Sequence, residues 1–157
     1  MINIINRLSV AAFLLMAVTN SVLAAQTEKL SGRMYGESVR SQLPLGNGDA
    51  VLSLTASGLV AMSESPPAMY GFACVGMGLV DEESKSKVDI YCTFIRNDED
   101  RFDIKGRMGE DKSAKLKIIG GSGIYEGATG KGTYRPIDSS NPKESGQGII
   151  EHEIRMK

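Results

Sequence analysis

Beyond residue 25 no stretch of this chain sustains a helical hydrophobic period. What recurs is short runs of alternating apolar and polar residues, cut by glycine, proline, serine or charged clusters. Such a pattern restricts the fold sharply, because a period of two places successive side chains on opposite faces of a strand. Eight runs are predicted as strands, near residues 28–40, 50–62, 68–80, 86–97, 100–108, 113–119, 128–137 and 146–156. Turns are expected at Pro44–Gly48, Ser65–Pro67, Asp81–Lys85, Asn97–Asp100, Gly109–Lys112 and Ser139–Ser145, where the breakers cluster.

The alternation also assigns faces. Val88, Ile90, Cys92 and Phe94 share one side, opposed by Asp89, Tyr91, Thr93 and Ile95; Phe102 and Ile104 oppose Arg101, Asp103 and Lys105; Leu116 and Ile118 oppose Lys115 and Lys117. One face is buried and the other is mostly wet. Eight antiparallel strands with short connections must deal with two exposed edges, and closing into an up-and-down β-barrel removes both. The expected fold is therefore all-β, an eight-stranded antiparallel barrel, with a two-sheet β-sandwich as the alternative. At eight strands the interior is just wide enough to be filled by side chains or to hold one small ligand.

The first residues follow a different rule. Arg7, the apolar run Leu8–Val18 and the small residues ending in Ala24-Ala25 stand in the order of a secretory signal peptide, with residues 1–24 as leader and 25–157 as one domain. A membrane-spanning helix is the rival reading, but the run is shorter than the roughly 18–20 apolar residues a bilayer requires. The exported protein is thus expected in the periplasm or outside the cell, with no integral membrane segment. The full chain carries a formal charge of −1, and the leader contributes only Arg7 to it. A near-neutral chain of mixed signs shows no basic footprint for nucleic acid.

Both cysteines, Cys74 and Cys92, lie in the exported part, where disulfides form and persist. A hairpin centred on Glu83 sets them directly opposite each other, so a structural bridge is expected. In the chain-entropy model it stabilises the fold by roughly 3 kcal/mol. Two cysteines and one histidine do not make the four-ligand spacing of a zinc site, and no metal or cofactor is expected. The acidic run Asn97–Asp100 lacks the Asp-x-Asp-x-Asp-Gly pattern of a calcium loop and reads as a solvated hairpin tip.

The most distinctive segment is Ile119-Gly-Gly-Ser-Gly-Ile-Tyr-Glu-Gly-Ala-Thr-Gly130. It lacks the Gly-Lys-(Ser/Thr) ending of a phosphate-binding loop. The glycines Gly120, Gly121, Gly123, Gly127 and Gly130 permit close backbone approach, and Tyr125 is placed to pack under the resulting corner. The segment resembles the Gly-Gly-Thr-Gly-x-(Phe/Tyr)-x-Gly-Ala-x-Gly motif of the allene oxide cyclase and dirigent barrel superfamily, with Ser122 in place of the usual threonine. The resemblance implies an eight-stranded barrel with a largely apolar cavity, no cofactor, and assembly as a homodimer or homotrimer. It assigns no catalytic residue here.

His152, the only histidine, shares an inward face with Ile150 and Ile154. An inward imidazole can orient a ligand or move a proton, or simply be a core residue. Tyr70 and Phe72 share the parity of Cys74. With Ile90, Phe94, Phe102 and His152 they form the expected ligand-pocket set, with core filling as the plainer role for the aromatics. Three readings of function follow: an exported barrel binding a small apolar or amphipathic ligand or a protein partner without turnover, a cofactor-free isomerase or cyclase, and a fully packed interaction module.

Overall fold

Eight strands form where the alternation predicts them. They are β1 (Thr27–Pro44), β2 (Ala50–Met62), β3 (Ala68–Val80), β4 (Ser86–Ile95), β5 (Arg101–Met108), β6 (Ala114–Ser122), β7 (Thr129–Pro136) and β8 (Gln147–Arg155), with one 3-10 turn at Gly123–Tyr125. The computed structural model describes residues 26–81, 86–137 and 147–157. The expected leader, most of the Asp81–Lys85 turn and the Ser139–Ser145 turn lie outside the described residues.

Each strand pairs antiparallel with its neighbour in sequence, and β1 also pairs with β8, so the sheet closes as a barrel and the sandwich alternative falls away. Closure gives both edge strands a partner over Thr27–Tyr35 of β1, beyond which β1 pairs with β2 alone among the described residues. Except where β5 pairs with the end of β6, the registers join residues of the same parity, as in Gly58↔Phe72, Cys74↔Cys92, Phe94↔Phe102, Leu116↔Gly132 and Gly130↔Ile154. Even-numbered side chains therefore point inward on each strand, except at the end of β6, where Gly121 and not Ser122 lies opposite Phe102. Leu30, Val60, Tyr70, Phe94, Phe102, Ile118, Ile150 and Ile154 are buried in this interior.

Two boundaries differ from the sequence reading. Pro44 ends β1 opposite Ala50 instead of opening the turn, which is closed by Leu45 donating to the Asp49 carbonyl at 2.7 Å. A proline is tolerated at a strand end because no ladder bond needs its missing N–H. β6 continues through Gly120 and Gly121 because the register slips between Asp103 and Ile104, inserting Ile119 as a bulge.

The two ends of the barrel are unlike. At the end holding the start of β1 and the end of β2, Tyr70 and Tyr125 are fully buried and their hydroxyls share a 2.7 Å hydrogen bond. At the other end β1 and β2 run on past the point where β8 leaves β1, and residues 37–48 are exposed. The outer wall is divided as well. Outward positions of β2 and β3, from Val51 to Ala61 and from Met69 to Leu79, hold no charged residue, whereas those of β5 to β8 are mostly charged.

Removing one member of the tyrosine pair strands the other's buried hydroxyl, which costs about 1–3 kcal/mol. Tyr70→Phe is expected to lower unfolding stability by that amount in urea titrations. The double variant Tyr70→Phe/Tyr125→Phe is expected to lose less than the sum of the two single losses, because it leaves no orphan. Strict additivity would show that the pair contributes no coupling.

Candidate functional site

The open end holds the candidate site. A cavity of about 110 Å³ is enclosed there by Met34, Leu54, Ala56, Phe72, Ile90, Phe94, Ile104, Met108, Leu116 and Ile150, with the Cys74–Cys92 disulfide in its wall. These residues come from β1 to β6 and β8, and all have inward parity. The disulfide joins directly opposed residues of β3 and β4 and leaves no free cysteine among the described residues. An engineered apolar cavity of about 150 Å³ holds benzene, so the space suits roughly one small ring or a short branched chain.

Polarity is confined to the mouth. Glu37, Ser38 and Arg40, from the projecting part of β1, and Tyr134 of β7 border the cavity. Burial pushes the Tyr134 phenol above its usual pKa, against the opposing pull of the Arg40 guanidinium. Tyr134 packs over Gly148, where a Cβ would run into its ring. An apolar floor with a phenol and a guanidinium at the rim can hold a molecule that has an apolar body and one polar end.

Phe72, Ile90 and Phe94 of the expected pocket set line this cavity. Tyr70, Phe102 and His152 lie deeper, in an aromatic plug between the cavity and the closed end. Phe102 is at its centre, stacked on Phe94 at 4.9 Å and edge-on to Tyr125 at 5.1 Å and Tyr70 at 6.1 Å. The His152 ring stands edge-on to Phe94 and Phe102, at 5.5 and 5.3 Å. It fills the space left by the absent side chain of Gly132. Neither ring nitrogen has a hydrogen-bond partner among the described residues, and burial pushes the pKa down to about 4. At neutral pH His152 is therefore an uncharged member of the plug.

A second polar group caps the closed end. Glu64, in the β2–β3 loop, keeps only 7% of its side chain exposed, with Oε2 at 3.8 Å from Arg96 Nη2 and Oε1 unpartnered among the described residues. Burial, and then repulsion from Glu64, push the Glu28 carboxyl above its ordinary pKa. Burial and the Tyr125 hydrogen bond push the Tyr70 phenol up in the same way. This cluster is separated from the cavity by the plug. Sequence reasoning missed it because Glu28, Glu64 and Arg96 come from different strand ends with no shared spacing. Arg40 and Met34 were more legible, since they share the inward parity of Leu30.

The glycine segment forms a corner at the closed end. Gly123 takes a left-handed φ of 62°, and a Cβ there would collide with the Asp100 carboxylate. The β4–β5 turn holds this corner: Ser122 Oγ donates to the Glu99 carbonyl at 2.7 Å, and the Ile124 N–H donates to Asp100 Oδ1 at 3.0 Å. Asn97 organises the turn by accepting from the backbone N–H groups of Glu99 and Asp100. That Ile124 bond, with the Asn97 side chain, holds the Asp100 carboxyl below its usual pKa. The acidic run is thus a corner clamp, and no group of three or more metal-binding side chains occurs among the described residues.

No family model matches the chain, and no curated protein matches it. Among solved structures it is similar to the pterocarpan synthase dirigent protein GePTS1, with a TM-score of 0.52 and 15% identity over 92% of this chain and 98% of that one. The pterocarpan synthase dirigent protein PsPTS1 aligns with a TM-score of 0.45 and 12% identity, over 83% of this chain and 94% of that one. The likeness to GePTS1 is one of fold: the chain is a dirigent-like barrel.

The buried imidazole makes a pH prediction. Its folded pKa of about 4 lies below the ordinary 6.5, so the unfolded chain binds a proton more readily as pH falls. The stability present above pH 6.5 is lost between about 6.5 and 4, to a total on the order of 3 kcal/mol. His152→Leu is expected to remove this component, read as the difference between the urea-unfolding pH profiles of the two proteins. Parallel profiles would mean that His152 does not carry it.

Proposed function

We propose that this chain is an exported barrel that binds a small apolar or amphipathic molecule in its open-end cavity, without chemical turnover. The observation that carries the reading is the division of the cavity into an apolar floor and a rim bearing Glu37, Arg40 and Tyr134. Export is supported by the leader pattern of residues 1–24 and by the disulfide, which oxidising compartments sustain. The fold shared with a pterocarpan synthase dirigent protein supports a cavity that holds and orients a small molecule. Within this cavity, binding is favoured over proton-transfer catalysis because neither His152 nor Glu64 lines it; His152 instead borders an open groove over Gly132, between Lys115, Lys131 and Glu151.

Native mass spectrometry of protein taken from its exported fraction, beside a denatured sample, is expected to release a small molecule. Ala56→Phe, which fills the cavity from its β2 wall, is expected to abolish the adduct and leave the fold intact. An empty wild-type protein whose Met34, Phe72 and Phe94 resonances do not move on titration with indole would sink the proposal.

A specific observation favours self-association as a second element of function. The uncharged outer wall of β2 and β3 exposes Leu59, Met69, Val75, Met77 and Leu79, each more than half accessible. Contiguous exposed apolar surface of this kind marks contact sites. Sedimentation is expected to give a homodimer or homotrimer, and Val75→Glu/Met77→Glu is expected to give a monomer. A wild type that is monomeric at high concentration would exclude this contact.

A further inference from the structure

The near-zero net charge conceals a basic wall opposite the uncharged one. On the outside of β5, β6 and β7 the registers set like charges directly against each other: Lys105 faces Lys117, Lys117 faces Lys131, and Arg107 faces Lys115. Directly opposed like charges destabilise a sheet. A row of three lysines across three adjacent strands, beside an Arg–Lys pair, is therefore an arrangement that folding does not favour. Asp89 pairs with Arg107 at 2.7 Å and Glu153 with Lys131 at 3.7 Å, each from the margin of the cluster. Lys105, Lys115 and Lys117 have no anionic partner among the described residues.

We propose that this wall is a docking surface for an acidic polysaccharide. Neighbouring cations stand about 4.8 Å apart across the strands and about 7 Å apart along them, which gives a linear polyanion several simultaneous contacts. Tyr91 of β4, directly opposite Lys105, is the one exposed aromatic ring beside these strands among the described residues, whereas single-stranded nucleic acid stacks successive bases on a series of rings. Ile119, at the bulge, is the one large apolar side chain pointing outward there, too little to anchor in a bilayer. The surface is separate from the cavity, and its occupation does not depend on a ligand there.

The test measures binding of the folded protein to heparin, a sulfated polysaccharide, across a salt series. Wild type is expected to bind at low salt with log K falling linearly against log salt. Lys105→Gln/Lys115→Gln/Lys117→Gln is expected to bind roughly tenfold more weakly, with a slope shallower by about 2–3. Arg33→Gln/Lys157→Gln removes two charges that lie away from this wall, on β1 and beside Gly127, and is expected to stay within about twofold of wild type. The first variant also relieves the opposed like charges, so its melting temperature is expected to equal or exceed that of wild type, which separates lost binding from lost folding. Equal weakening by both variants would overturn the proposal, as would no wild-type binding at low salt. Tighter binding to a single-stranded oligonucleotide or to anionic phospholipid vesicles than to heparin would overturn it in favour of that partner.

Discussion

Closure of the sheet is the constraint on which everything else rests. Once β1 meets β8, every strand has two neighbours, and along the paired lengths its backbone groups are satisfied within the ladder. The inward side chains must then fill a cylinder of fixed width. Same-parity registers commit the even-numbered residues to that task on every strand up to the β6 bulge, so a one-residue slip in any hairpin would turn a strand's apolar set outward. The bulge at Ile119 is the one place where the register shifts, and it falls where the glycine corner needs β6 to bend.

Filling the cylinder unequally produces the two ends. Three aromatic rings and one imidazole crowd around Phe102 and close the lower barrel. Above Phe94 the inward residues are smaller: Ala56, Gly76, Gly78 and Gly106 share the interior parity, and the disulfide replaces two bulkier side chains. The cavity is what remains where large residues stop. Rigidity beneath it comes from the plug and from the clamp between the β4–β5 turn and the Gly123 corner, which also keeps the polar Glu64 cluster apart from any molecule in the cavity.

The outer wall adds a division that no pairwise contact reveals. Uncharged β2 and β3 face one way and the lysine-rich β5, β6 and β7 another, so contact with a second copy and contact with a polyanion do not compete for the same strands. The charge along β5 to β8 also sets this barrel apart from one whose outer band meets lipid on all sides. In the functional reading, the cavity, the uncharged wall and the basic wall are three separate surfaces held by one closed sheet.

Strand positions, inward faces and the Cys74–Cys92 pairing were legible in the sequence because each is set by local alternation or by the centre of one hairpin. Val88 to Phe94 and His152 fell on the buried side for that reason alone, and Tyr125 as the anchor of the glycine corner followed from the spacing of its motif. Depth along the barrel axis was not legible. Parity says that Phe72 and Phe102 both point inward, but only the stagger of the closed sheet puts one at the cavity and the other in the plug. Glu64 with Arg96, and Lys105 with Lys117 and Lys131, are likewise products of closure. The sequence by itself determined which way each side chain points, because that depends on neighbours along the chain. Tertiary structure alone decided what each one meets, because that depends on the height at which distant strands are hydrogen-bonded together.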